Sequence, residues 1–174
     1  MTSPLTEAAM LDSAFARNVV TAALRQLGLP YLWAGRGDWY VRGTEMRPVR
    51  DAGCDFLAFD CAGLVGWGCW KAGGPDLRNW WAADHLYQAL PFSRPDEFSL
   101  AFYGPRAHAT HVAIELGRGL VLEAAGGDST TTTYEAALKR GARVRVGFEQ
   151  RTDKLGSRSL AGLRSLPLRP KEHL

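Results

Sequence analysis

Three residue types able to perform acyl-transfer chemistry are spread along the chain: a thiol at Cys61, an imidazole at His111 and a carboxylate at Glu123. Cys61 follows Asp60, an N-cap candidate, and opens the apolar run Cys61-Ala62-Gly63-Leu64-Val65-Gly66-Trp67-Gly68-Cys69-Trp70. The thiol therefore falls in the first turn of a helix, where unpaired N–H groups and the helix dipole favour an anion, and a stabilised thiolate is expected. His111 begins the alternation His111-Val112-Ala113-Ile114-Glu115-Leu116. A strand with that pattern puts Val112, Ile114 and Leu116 on one face and His111, Ala113 and Glu115 on the other, so the imidazole points away from the aliphatic layer. Gly117-Arg118-Gly119 reads as a three-residue hairpin loop. Such a loop pairs Leu116 with Leu120 and Ala113 with Glu123, which leaves Glu123 diagonal to His111 on the same face; a two-residue loop would turn it away. Thiol, base and orienting carboxylate together make the set that a cysteine hydrolase needs.

Other residues compete for these roles. His108 lies three positions before His111 but precedes the alternation and sits in a loop, and His85 falls on a helix surface or in a packed polar contact. Cys54, Cys61, Cys69 and His108 lack any C-x2-C pair, and Cys61 and Cys69 diverge on their helix, so no metal site is expected. Eight helical residues separate those two Cα atoms by roughly 12 Å, beyond the ~7 Å limit for a disulfide. With three cysteines in all, at least one thiol is unpaired.

The elements that must position these groups are legible from periodicity. A helix is expected from Asp12 to Leu27, capped by Asp12 or Ser13 and stopped by Gly28 and Pro30. Residues 37–58 read as a long loop that lids or walls a cleft. The nucleophile helix starts at Asp60, its three glycines allowing close packing, and a second amphipathic helix spans 80–90. Strands follow at Ser99–Tyr103, Thr110–Leu116, Leu120–Ala124 and Arg143–Phe148, with a short helix at Thr133–Lys139. Helices first and strands later indicate an α+β domain over residues 1–150, with 151–174 as a basic C-terminal extension. Trp67 and Trp70 are expected in the core, whereas Trp33, Trp39, Trp80 and Trp81 are candidates for a sugar-binding groove.

Composition narrows the function classes. The 174 residues, 46% hydrophobic and 22% charged, suit one folded domain rather than a disordered chain. Residues 1–150 carry 15 Lys/Arg against 16 Asp/Glu, while 151–174 carry 6 against 2. A near-neutral body lacks the basic stripe of a nucleic-acid binder. No secretory signal pattern opens the sequence and no run of about 18 apolar residues occurs, so neither a signal peptide nor a membrane span is expected.

Three motifs, in order, resemble the NlpC/p60 family of cell-wall peptidases: Leu27-Gly28-Leu29-Pro30-Tyr31-Leu32-Trp33-Ala34-Gly35, Phe59-Asp60-Cys61-Ala62-Gly63-Leu64-Val65 and His111-Val112-Ala113-Ile114. The resemblance spans Ala14 to Val146. It implies a papain-like fold, with the nucleophile helix packed on a small antiparallel sheet, and cysteine catalysis without a cofactor. Cys61 then matches the nucleophile, His111 the base and Glu123 the orienting residue. Tyr31 lines the cleft with Trp33, and Asp60 recognises the free amine of a stem peptide. The implied substrate is peptidoglycan, cut between γ-D-glutamate and a diamino acid. Leu122 to Thr130 is similar to phage and prophage members, which implies phage tail or baseplate partners and a virion-associated or cytoplasmic protein before delivery to the wall. A structural tail component and another papain-like amidase or acyltransferase are the alternatives. The chain departs from the family at Ala62, where Ser is common, at Phe98-Ser99, where Gly-Asp is usual, and at Glu123, where His, Asn or Gln is more frequent. The charge of Glu123 is expected to favour the imidazolium and so a Cys61–His111 ion pair.

Overall fold

Two helices lead into the sheet that carries the base. The computed structural model describes residues 4–79, 82–93, 99–105, 108–149 and 159–166, with side chains from residue 13 onward. Helix α1 spans Pro4–Leu24, so it begins and ends earlier than the apolar spacing suggests, and Asp12 and Ser13 lie inside it rather than capping it. Its end is set by a tertiary tie: from Gln26 the bonds tighten to the i−3 type, and Gly28, at φ 84°, donates its N–H to the Val144 carbonyl at 2.9 Å.

Residues 37–58 are a small folded unit, not the long loop that their polarity suggests. Strands β1 (Arg36–Gly37), β2 (Trp39–Arg42) and β3 (Glu45–Pro48) precede a 3-10 turn at Val49–Ala52 and β4 (Ala58–Phe59). β2 and β3 form a hairpin, β1 pairs with β4, and Leu32, Tyr40, Val49, Ala52, Cys54 and Ala58 share a core of their own. β3 is exposed along its whole length, so it shows no alternation to read.

Helix α2 (Cys61–Lys71) starts where its cap candidate places it, with the Asp60 carboxylate accepting from the Gly63 N–H at 2.6 Å. Its glycines do permit close approach: a Cβ on Gly63 would run into the Gly35 carbonyl oxygen, and one on Gly66 would lie 2.9 Å from the Arg78 nitrogen. Trp67 is buried on this helix. Trp70 is not the core residue expected; it is partly exposed, with Lys71 and Arg78 at 4.0 and 3.9 Å from its ring. Helix α3 covers Ala83–Ala89. Trp80 and Trp81, the start of the helix expected there, and Phe98 lie outside the described residues.

The main sheet is antiparallel, in the order β8-β7-β6-β5-β9: β5 is Ser99–Tyr103, β6 His111–Gly117, β7 Leu120–Ala125, β8 Arg143–Phe148 and β9 Leu160–Ser165. Leu100, Phe102, Val112, Ile114, Leu122, Ala124 and Val144 join the helices in one core, and Ala101, Tyr103, Ala113 and Val121 form a second cluster. Helix α4 (Tyr134–Arg140), capped by Thr133 and closed by Gly141 at φ 65°, connects β7 to β8. β9 lies in the stretch read as a basic extension. Gly162 and Arg164 obscure its pattern, yet Arg164 is buried, with its guanidinium 3.8 Å from the Tyr87 ring and its Nε donating to the Tyr87 carbonyl. No helix among the described residues is long and apolar enough to cross a membrane.

Candidate active site

The turn that joins β6 to β7 decides which residue meets His111. Gly117 pairs with Leu120, so the loop is the two residues Arg118 and Gly119, both at positive φ (56° and 73°), as in a type I′ turn. The expected three-residue loop is therefore incorrect. A bulge restores the register: Glu115 pairs with Val121 and Ile114 with Leu122, leaving Leu116 as the surplus residue. Continued inward, that register brings Glu123 to the face of His111.

The result is a buried pair, with His111 3% and Glu123 2% exposed and His111 Nε2 at 2.8 Å from Glu123 Oε2. Glu123 binds a second partner through its other oxygen, accepting from Arg145 Nε at 3.2 Å. Arg145 is directly opposite Glu123 in the β7–β8 ladder. The Tyr103 ring packs 5.8 Å from the imidazole.

Cys61 meets this pair from the helix side. The backbone N–H groups of Val112 and Ala62 donate toward its sulfur, which brings the thiol against the residue after His111. Burial pushes the Cys61 thiol up to about 11, and the neighbouring Asp60 carboxylate adds to the rise; the two N–H bonds and the charge of Arg36 only partly offset it. Desolvation thus opposes the stabilisation that the helix start offers a thiolate. Among the three cysteines Cys61 is the one not fully buried, and all three are free.

Cys61 and His111 line one cavity of about 750 Å³, together with Tyr31, Trp33, Asp60 and Arg145. Glu123 stands behind His111, outside the lining. The 30–35 segment reaches the cavity through the Tyr31 N–H to the Ala142 carbonyl and the Trp33 N–H to the Thr131 carbonyl. Val41 and Gly43 of the β2–β3 hairpin complete part of the wall. Asp60 is buried against Arg36, whose Nη1 donates to the oxygen that also caps α2. His108 is exposed and bonds Asp84 at 3.1 Å, and both line the same cavity as Cys61 and His111. Among the described residues no group of acidic, His and Cys side chains is arranged to hold a metal ion.

No family profile matches the whole chain or part of it. Individual proteins do. The peptidoglycan endopeptidase RipB of Mycobacterium tuberculosis is 33% identical over 136 residues, 73% of this chain and 52% of that protein. RipA of Mycolicibacterium smegmatis is 32% identical over 111 residues, 61% of this chain and 20% of the relative. The chain thus spans between a fifth and about half the length of the curated relatives it matches. The solved structure of M. tuberculosis RipB superposes with a TM-score of 0.59 at 24% identity, over 96% of this chain and 73% of that one. M. tuberculosis RipD, described as a non-catalytic NlpC/p60 domain protein adapted to peptidoglycan binding, superposes with a TM-score of 0.53 at 25% identity, over 86% of this chain and 95% of that one. This chain has the fold of an NlpC/p60 domain.

Within this NlpC/p60 fold the structure brings Cys61, His111, Tyr31, Trp33 and Asp60 to one cavity, with Glu123 behind the histidine. Two arginines escaped the sequence reading. Arg36 balances the Asp60 carboxylate, and the only sign of it is that a buried acid next to the nucleophile needs a counter-charge. Arg145 braces Glu123, and its sign is cross-strand register, which becomes readable only once β8 is aligned.

Proposed function

We propose that this domain is a cysteine peptidase that hydrolyses stem-peptide amide bonds of peptidoglycan, at the bond between γ-D-glutamate and a diamino acid. The buried His111–Glu123 contact beside Cys61 carries the reading, and the naming of RipA and RipB as peptidoglycan endopeptidases supports the substrate class. With Nε2 held by Glu123, proton exchange at His111 falls to Nδ1. His111 takes the Cys61 proton as the sulfur attacks the amide carbonyl, because a thiol raised by burial needs a base at that moment. The Cys61 N–H at the start of α2 donates to the oxyanion. The imidazolium then protonates the leaving amine as the C–N bond breaks. A water, deprotonated by His111, hydrolyses the thioester and returns the thiol. Tyr31 and Trp33 line the peptide path. The second oxygen of Asp60 receives the free amine of the stem peptide.

Purified protein incubated with muropeptides is expected to release fragments of the matching mass. Cys61→Ala abolishes release, and Glu123→Gln lowers kcat by on the order of 10²–10⁴-fold. Intact muropeptides, or products of a different amide bond, refute the assignment and favour another papain-like amidase or acyltransferase. Delivery on a phage tail or through lysis is part of the same proposal, supported by the likeness of Leu122–Thr130 to phage-encoded members; the protein should then be found in purified particles. RipD, as a non-catalytic protein of this fold, motivates a second reading as a docking module. The intact Cys61, His111 and Glu123 set favours catalysis.

A further inference from the structure

We propose that Arg145 couples recognition of a substrate carboxylate to the basicity of His111; the inference rests on the peptidase reading above. Glu123 divides its two oxygens between His111 and Arg145, at 2.8 and 3.2 Å. The arginine therefore draws on the same negative charge that would stabilise an imidazolium. Its side chain is 45% exposed and lines the cavity beside Cys61, and it holds Glu123 through Nε, which leaves the two terminal guanidinium nitrogens outside that bond. Arg140, the other arginine in the lining, engages Asp128 and Thr130 with its two terminal nitrogens. An anionic group entering the cavity thus meets Arg145 as the guanidinium one carboxylate away from the base.

The charged and titratable surroundings are consistent with control from this side. Cys61 at the start of α2 lines the cavity with His111, as do its cap Asp60, neutralised by Arg36, and the Asp84–His108 pair, and Tyr103 faces His111 from β5. Arg145 is the cation that β8 brings onto Glu123. A substrate carboxylate bound to its outer nitrogens offsets the guanidinium charge, returns the full charge of Glu123 to His111 and strengthens the base when substrate is in place. Arg145 is on this account a positioning residue for His111 and a binding residue for the carboxylate.

The test follows the His111 ring by NMR across pH in full-length Cys61→Ala protein, alone and with R145M or R145K, the signal being assigned by its loss in a His111→Gln variant. R145M is expected to raise the His111 midpoint by about one pH unit, and R145K to restore most of the difference. A stem tripeptide with a free γ-D-glutamyl α-carboxylate should raise the midpoint when Arg145 is present, with no such effect in R145M and none from its α-amide counterpart. An unchanged midpoint in R145M, an equal response to both peptides, or no response to the free carboxylate overturns the proposal. Because these readouts are titrations, a failure of turnover in otherwise responsive protein would count against the peptidase reading alone.

Discussion

Glu123 reaches His111 because Leu116, the one residue β6 holds beyond what its partner strand requires, is absorbed as a bulge. The tight Arg118-Gly119 turn by itself would set Glu123 opposite Ile114 and point it at the aliphatic face; the bulge at Leu116 moves the pairing by one and turns the carboxylate to the imidazole. A side-chain contact across 12 positions thus depends on the surplus Leu116, where present, being taken up as a bulge near the hairpin end.

Deleting Leu116 removes the bulge but leaves Glu115 opposite Val121, so muropeptide release should persist. Deleting Ala113 swings His111 to the opposite face and should reduce release by on the order of 10³-fold or more. Mass-spectrometric product analysis of both deletions checks the expectation, and circular dichroism confirms that each remains folded.

Arg36 and Asp60 form a buried ion pair, so truncating one partner leaves the other uncompensated. Arg36→Met should lower unfolding free energy by about 3–5 kcal/mol, with part of the loss recovered in the double variant R36M/D60N. Urea unfolding of the single and double variants measures the coupling.

Gly63→Ala places a methyl group against the Gly35 carbonyl oxygen, a backbone atom with little room to yield. Destabilisation of about 1–3 kcal/mol is expected, together with slower alkylation of Cys61 as the start of α2 shifts. A Gly68→Ala control meets the Val19 side chain and carbonyl oxygen at 3.2 Å, a looser fit than at Gly63, and should perturb Cys61 less.

Burial raises the Cys61 thiol to about 11 and the Cys69 thiol to about 12, from 9.0. The fold therefore holds these protons more tightly than the unfolded chain does. That contribution is fully present below pH 9 and is lost as pH rises through 11 and 12. Thermal melts should fall over this range, and Cys69→Ala should flatten the fall. In His111→Ala protein, iodoacetamide should label Cys61 ahead of Cys54 and Cys69, at a rate that climbs toward pH 11.

The sequence alone determined the helix that begins at Cys61, the alternation that starts at His111 and the short helix near Thr133–Lys139. These follow from local periodicity, capping and side-chain alternation, which act over a few residues. The same local signals failed at residues 37–58, where short strands are stabilised by a core shared with Leu32, and at β9, where a buried Arg164 interrupts the apolar pattern. Only the tertiary structure decided the bulge at Leu116, the thiol's burial, and the placement of Arg36 and Arg145 against the two carboxylates of the site. Register, desolvation and charge pairing depend on what packs across the strand or behind the helix, and residues far away in sequence supply it.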